Sequence, residues 1–217
     1  MTTPTSLSLV VFAGGEGRRL GGLDKARLLD GAGRARLTAL LTTLAPAALA
    51  ARLAARGEPA VVDAVVITRP ERRACHAALC PRETRFVVDP GGGPARALAA
   101  GLPALTSEWL WLVGVDQHRM SAEVLEAVWA QRADVDVVLP RAGGFAQPLG
   151  ALARRGALIA TPPRAGLASW LSATARVGTW EGEAAWFEGL DTPEALEAAG
   201  WRPGGAVGGE DGPAGAG

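Results

Sequence analysis

Asparagine and tyrosine are missing from this chain of 217 residues, and lysine is nearly so. Of 22 Lys and Arg residues only Lys25 is lysine; the other 21 are arginine. Cysteine is limited to Cys75 and Cys80, whose number and spacing suit neither a disulfide framework nor a zinc site. The trio Cys75, His76 and Cys80 is accordingly not read as a metal site, and two ordinary thiols are what a cytoplasmic protein carries. Charge of one sign in excess is also absent: the formal net charge is zero. That excludes a general attraction to nucleic acid or to an anionic membrane, so an anionic ligand would have to be held by a local cluster. No apolar run approaches the length a membrane helix needs. Met1 to Ser8 has neither the basic stretch nor the long apolar stretch of a secretory signal, so a cytoplasmic location is expected.

What is present is apolar material in a regular rhythm. Hydrophobic residues make up 48% and charged residues 20%, enough for one domain with a substantial core. Strand-length apolar runs at Leu7–Phe12, Val61–Ile67, Arg85–Val88, Trp109–Val115 and Val135–Leu139 alternate with segments of helical pattern. The helices are expected at Arg34–Ala55 (broken or kinked at Pro46), Glu71–Leu79, Pro94–Leu105 and Ser121–Arg132. Alternation of this kind predicts a doubly wound α/β fold with a mostly parallel sheet. Trp109 and Trp111, two apart on a strand, share one face and are expected to pack against helices. After Pro140 the rhythm changes. Gly143-Gly144 reads as a turn, a helix is expected from Ala151, and Trp180 and Trp186 around Gly182 suggest a small antiparallel appendage. A last helix is expected over Asp191–Ala199, opening on Thr192-Pro193-Glu194. The domain is expected to occupy residues 1–202, with a disordered Gly/Ala-rich tail over 203–217.

The sole lysine ends the most distinctive segment, Val11-Phe12-Ala13-Gly14-Gly15-Glu16-Gly17-Arg18-Arg19-Leu20-Gly21-Gly22-Leu23-Asp24-Lys25. A strand running into glycines and then into basic residues is a phosphate cradle, because glycine lets the backbone approach oxygens and present its N–H groups. Arginine and lysine are not interchangeable beside a phosphate. A chain that has replaced lysine everywhere else and keeps it here points to function. A Walker A loop is excluded, since Lys25 follows Asp24 and precedes Ala26. The dinucleotide fingerprint is excluded too, since Gly15-Glu16-Gly17-Arg18-Arg19-Leu20 lacks the third glycine.

The segment resembles the family of molybdenum cofactor guanylyltransferases and their wider nucleotidyltransferase relatives. Their signature is Leu-Ala-Gly-Gly-x-x-x-Arg-Met-Gly followed shortly by Asp-Lys. Phe12 stands for the leucine and Leu20 for the methionine, while Ala13, Gly14, Gly15, Arg19, Gly21, Asp24 and Lys25 match. The likeness runs on through Asp89-Pro90 with Gly91-Gly92-Gly93-Pro94, through Trp109–Asp116, through Gln147-Pro148-Leu149 and through Leu190-Asp191-Thr192-Pro193-Glu194. It departs at Gln117-His118, where the family has a proline, and at Asp191 and Thr68, where members carry asparagine. Arg96 within Pro94-Ala95-Arg96-Ala97 either meets an acceptor phosphate or faces solvent. His118 is read as a bystander.

The resemblance implies a Rossmann-like nucleotidyltransferase that moves GMP from GTP to the phosphate of molybdenum-bound molybdopterin and releases pyrophosphate. It implies Lys25, Arg19 and Asp116 as catalytic residues. Phe12, Ala13, Gly14, Gly15, Lys25, Thr68, Asp89 and Asp116 would bind nucleotide, and Asp116 with Asp191 would hold Mg²⁺. Molybdoenzyme maturation partners would follow from such a product. A CTP-using relative, another phosphate acceptor and a nucleotide-binding partner without turnover stay open on the sequence.

Overall fold

The structure, a computed structural model, describes residues 4–204. Its eight strands form one sheet: β1 (Thr5–Phe12), β2 (Ala60–Thr68), β3 (Arg85–Val88), β4 (Trp109–Gly114), β5 (Val137–Ala142), β6 (Phe145–Ala146), β7 (Leu152–Arg154) and β8 (Val177–Glu181). The order is β3-β2-β1-β4-β7-β5-β6, with β8 also on β5. β3, β2, β1 and β4 run parallel, as does the β5–β8 pair, whereas β7 is antiparallel to β4 and β5. Phe12 pairs with Ile67 on one side and with Gly114 on the other, so the C-terminal ends of the three central strands are level. Loops leaving those ends share one rim. In an open α/β sheet that rim, where the strand order reverses, is where ligands bind.

Alternate residues of β1 face opposite sides, as strand geometry requires. Leu7, Leu9 and Val11 pack in one core with α1 (Arg36–Thr43), α2 (Pro46–Ala55) and α5 (Ala122–Ala130). Val10 faces the other core with α4 (Pro94–Gly101), α6 (Arg155–Ala160) and α7 (Leu167–Leu171). Trp109 and Trp111 do share a face; Trp109 meets Trp129 of α5 edge to face, ring centroids 6.2 Å apart. Arg154 and Arg132 lie over Trp109 and Trp129 at 4.4 and 4.2 Å, so the guanidiniums roof the aromatic pair. The remaining helices are α3 (Arg73–Ala77), α8 (Ala184–Phe187) and α9 (Pro193–Ala198).

The expected strands and helices up to Arg132 are all found, with the break at Pro46 separating α1 from α2 and one-turn 3₁₀ segments flanking α3 and α4. Helix α9 opens as expected, with the Thr192 hydroxyl accepting from the Ala195 N–H.

Three expectations are corrected. The helix predicted from Ala151 begins only at Arg155: Ala151, Leu152 and Ala153 have no exposed surface, and the last two sit in β7 between β4 and β5. Small apolar residues buried on both faces suit a central strand, and a helical pattern cannot be told from it over so short a run. The antiparallel pairing is present in the C-terminal part but belongs to the one sheet, and the Trp180 strand itself is parallel to β5. Trp180 and Trp186 stack at 5.6 Å beside Gly182. Finally, the stretch 36–55 is 20 residues long and, at a mean hydropathy of 1.5, long and apolar enough to cross a membrane. Here it is α1 and α2, and its leucines 37, 40, 41, 44, 49 and 53 are all buried in the first core. Of the tail expected from Pro203, only Pro203 and Gly204 fall among the described residues.

Candidate active site

The cradle is shaped by the chain just past β1. The Ala13 N–H donates to the Ile67 carbonyl at 2.9 Å, which ends the strand in register with β2. Gly14 follows against Asp89: a Cβ there would lie 1.8 Å from Asp89 Oδ2, so only glycine allows the carboxylate so near. Gly17 turns the loop at φ 60°, with its carbonyl accepting from the N–H groups of Leu20 (2.8 Å) and Gly22 (3.0 Å). The segment then closes into a 3₁₀ turn, Lys25–Arg27, capped by Asp24, whose Oδ1 accepts from the Ala26 N–H at 3.1 Å.

That cap presents Lys25 to two carboxylates. Its ammonium donates to Asp116 Oδ2 at 2.7 Å and to Asp191 Oδ1. Burial alone would lower the Lys25 pKa, but the charge and hydrogen bonds of Asp116 and Asp191 outweigh it and raise it above the usual 10.5. The ammonium is therefore permanently charged at neutral pH.

Asp116 leaves the end of β4 in a turn that is fixed from three sides. The Gln117 side chain, 4% exposed, accepts from the Gly114 N–H and donates to the Leu149 carbonyl, each at 2.7 Å. The buried Arg36 donates to the Gln117 carbonyl at 2.7 Å, and its guanidinium lies 5.2 Å from the Trp201 ring. Burial pushes Arg36 down to about 10, against the pull of Asp116. The Leu190 N–H donates to the Asp116 carbonyl at 3.2 Å, which brings the segment bearing Asp191 alongside.

These parts enclose a cleft of about 560 Å³. Phe12, Ala13, Gly14, Gly15, Arg19, Lys25, Asp89, Asp116 and Asp191, all singled out in the sequence, line it together. Asp89, 8% exposed, accepts from the Gly91 N–H at 2.7 Å. Thr68, also singled out, is buried and does not line the cleft, and its hydroxyl bonds His76 Nδ1 at 2.7 Å. Arg96 and His118 do not line the cleft either. The His118 pKa is lowered by burial and then by Arg119 and Arg36.

Sequence reading missed Arg69, which lines the cleft, Arg72 and His76, which hold the loop from outside it, and the bonding role of Gln117. A signal existed for two of them: a spacing of four puts residues 72 and 76 on one side of a helical segment, whereas Arg69 is extended ahead of it.

The donor set also bears on a metal. Among the described residues no three His, Cys, Asp or Glu side chains group as a metal cage. Two carboxylates do converge on a single cation, the Lys25 ammonium. Magnesium is held by one or two carboxylates plus substrate phosphates rather than by an all-protein cage, so Asp116 and Asp191 fit it.

Comparison with known proteins gives the fold and the family. Among solved structures, the bifunctional IspDF of Campylobacter jejuni is similar at 15% identity and a TM-score of 0.68, over 91% of this chain and 55% of that one. Rv0371c of Mycobacterium tuberculosis H37Rv is similar at 20% identity and a TM-score of 0.67, over 90% and 98% of the two chains; that protein is also known in complex with manganese. The 4-diphosphocytidyl-2C-methyl-D-erythritol synthase of Anaerococcus prevotii is similar at 14% identity and a TM-score of 0.64, over 90% and 97%. The chain thus spans about half the length of the bifunctional protein and nearly all of the other two. No curated protein matches the sequence. The model of the MobA-like NTP transferase domain matches residues 9–177. A glycine-rich loop, a lysine between two carboxylates and that match, which spans most of the sheet, agree: the chain belongs to the MobA-like NTP transferase family and is a nucleotidyltransferase enzyme.

Proposed function

We propose that this enzyme transfers GMP from GTP to the phosphate of molybdenum-bound molybdopterin, forming the guanine dinucleotide of the cofactor. The observation that carries the transfer is the Lys25 ammonium fixed between Asp116 and Asp191 on the rim of the glycine cradle. An oxygen of the acceptor phosphate attacks the α-phosphorus. The new O–P bond forms as the bond to the α,β-bridging oxygen breaks, and pyrophosphate leaves with that electron pair. The acceptor phosphate is already ionised near neutral pH, so positioning and charge neutralisation suffice. Gly14 and Gly15 offer backbone N–H groups to the triphosphate. Lys25 and Arg19 meet the charge that develops on the α-phosphate and the departing pyrophosphate. Magnesium, bound by Asp116 and Asp191, would supply further neutralisation of phosphate oxygens.

Guanine as the base is supported by Asp89. Its carboxylate stands in the cleft over Gly14, and guanine offers two neighbouring donors, N1–H and N2–H, where cytosine offers one amino group. The free thiols Cys75 and Cys80 suit a cytoplasmic enzyme, and a guanine dinucleotide product would be passed to molybdoenzyme maturation partners.

The test supplies GTP, CTP, ATP or UTP with Mg²⁺ and molybdenum-bound molybdopterin, and measures pyrophosphate and the dinucleotide. GTP-dependent formation of both is expected. Preference for CTP would replace the guanylyl reading by a cytidylyl one, and nucleotide binding without pyrophosphate would replace it by a partner without turnover.

A further inference from the structure

The turn that follows β2, residues 69–76, touches the cradle at four residues, Gly14, Gly15, Glu16 and Asp24; Arg69 itself lines the cleft, whereas Arg72 and His76 stand outside it. Arg69 Nε donates to the Gly14 carbonyl at 3.2 Å, and its Nη2 to Glu16 Oε1 at 2.7 Å. Arg72 Nη1 donates to the Gly15 carbonyl at 2.8 Å and lies 3.8 Å from Asp24 Oδ1. His76, with no exposed surface, sets Nε2 2.9 Å from Asp24 Oδ2 and Nδ1 2.7 Å from the Thr68 hydroxyl. Burial would raise the Asp24 pKa, but His76, Arg72 and the Ala26 N–H outweigh it and hold the carboxyl below its usual 3.8. A carboxylate only accepts, so in the neutral ring Nε2–H donates to Asp24 and Nδ1 accepts a hydrogen bond from the Thr68 hydroxyl.

We infer that Arg72 and His76 form a positioning clamp, which aims the peptide that follows Gly15 and the Lys25 turn at the triphosphate. The geometry of the peptide makes the connection. A trans peptide points its N–H opposite to its C=O. The Arg72 guanidinium, anchoring the Gly15 carbonyl from outside the cleft, therefore turns the N–H of Glu16 toward the opposite side, and a cation on a carbonyl strengthens the donor at the other end of the same peptide. His76 performs the corresponding task for Lys25, since Asp24 caps the turn that carries it. Both halves of the cradle are thus set from a single turn of chain. These two are positioning residues, acting through Gly15 and Asp24, whereas Arg69 lines the cleft and meets a ligand there directly. Arg73, exposed in the same turn, has no cradle contact and serves as a control.

The inference rests on the cradle holding a triphosphate, and its test is chosen to fail separately from that reading. Inorganic tripolyphosphate with Mg²⁺ is titrated calorimetrically into the parent enzyme and into Arg72→Gln and Arg73→Gln, with the melting temperature of each free protein measured alongside. Arg72→Gln is expected to bind about tenfold more weakly, the loss of one charge-assisted hydrogen bond. Arg73→Gln, which removes the same charge, is expected to bind as the parent does. Equal binding by all three proteins overturns the clamp, as does a loss in Arg73→Gln equal to that in Arg72→Gln, which would reduce the effect to net charge. Failure of the parent to bind tripolyphosphate, GTP or CTP overturns the triphosphate reading and the clamp with it. For the buried position, His76→Gln keeps a donor for Asp24 while His76→Leu does not. Recovery of KM for the nucleotide in the former relative to the latter, at matched melting temperature, supports positioning; equal KM values overturn it.

Discussion

The two walls of the cleft are held in opposite ways. The cradle wall, residues 12–27, is backbone anchored by side chains that arrive from elsewhere: Arg69 from within the cleft, and Arg72 and His76 from outside it, with Asp24 as the intermediary for His76. The carboxylate wall is side chains anchored by backbone. Asp116 and Asp191 project from segments locked by the bridge between Gln117 and Gly189, by the Leu190 N–H on the Asp116 carbonyl, and by a buried glutamine bonded at both ends to main chain. The first wall must present N–H groups to many phosphate oxygens and is built from a glycine-rich loop, buried at Gly14 and exposed at Gly15 and Gly21; the second must fix two charges and is built on buried structure. Damage to the cradle wall should therefore appear first in ligand binding, and damage to the carboxylate wall first in stability.

The sharpest way to break the contrast is at Lys25, which joins the walls. Lys25→Ala is expected to lower kcat by about 10²–10³-fold, the usual loss for a group that meets developing charge, read in a pyrophosphate-release assay. An unchanged kcat would remove the residue from the chemistry. Next comes the carboxylate wall. Gln117→Leu strands the Gly114 N–H and the Leu149 carbonyl and is expected to cost about 3 kcal/mol in urea unfolding, while the folded fraction still binds GTP. A stable variant that no longer binds would invert the comparison.

On the cradle wall, Gly14→Ala drives a Cβ against Asp89, where a contact of 1.8 Å forces a shift. Relief of such overpacking costs about 1–3 kcal/mol. The loss is expected mainly in nucleotide affinity by calorimetry, and a variant binding as tightly as the parent would contradict the close approach. The smallest effect is a pH slope. The folded pKa of Asp24 is depressed, so its contribution to stability is full above the unfolded value near 3.8 and is lost as the pH falls through the folded one. Urea midpoints followed into acid should decline less steeply in Asp24→Asn than in the parent; parallel declines would deny Asp24 its place in the network.

How much of this was legible in the sequence follows from the same contrast. Apolar periodicity exposed the parallel strands β1 to β4, because strands buried on both faces leave continuous runs. The cradle was legible because glycines and a lone lysine have few other reasons to stand together. Asp116 and Asp191, 75 residues apart in the chain, were named from a family pattern, and nothing in composition states that Lys25 joins them. The misplaced helix at Ala151 and the unforeseen partner of Thr68 share a cause: local pattern does not tell which long-range partner claims a short apolar run or a hydroxyl. β7 is claimed by β4 and β5, and Thr68 by His76. Gln117, in the pair Gln117-His118 that departs from the family pattern, is bonded at both ends of its amide.

The most direct test of the central claim is thermal stabilisation by GTP, with and without Mg²⁺, in the parent and in Lys25→Ala. A ligand that binds only the folded state adds about 2.7 kcal/mol at a hundredfold excess over its dissociation constant. The account predicts a magnesium-dependent shift in the parent that is largely lost in Lys25→Ala. Equal shifts in the two proteins, or a parent indifferent to nucleotide and metal together, would contradict it.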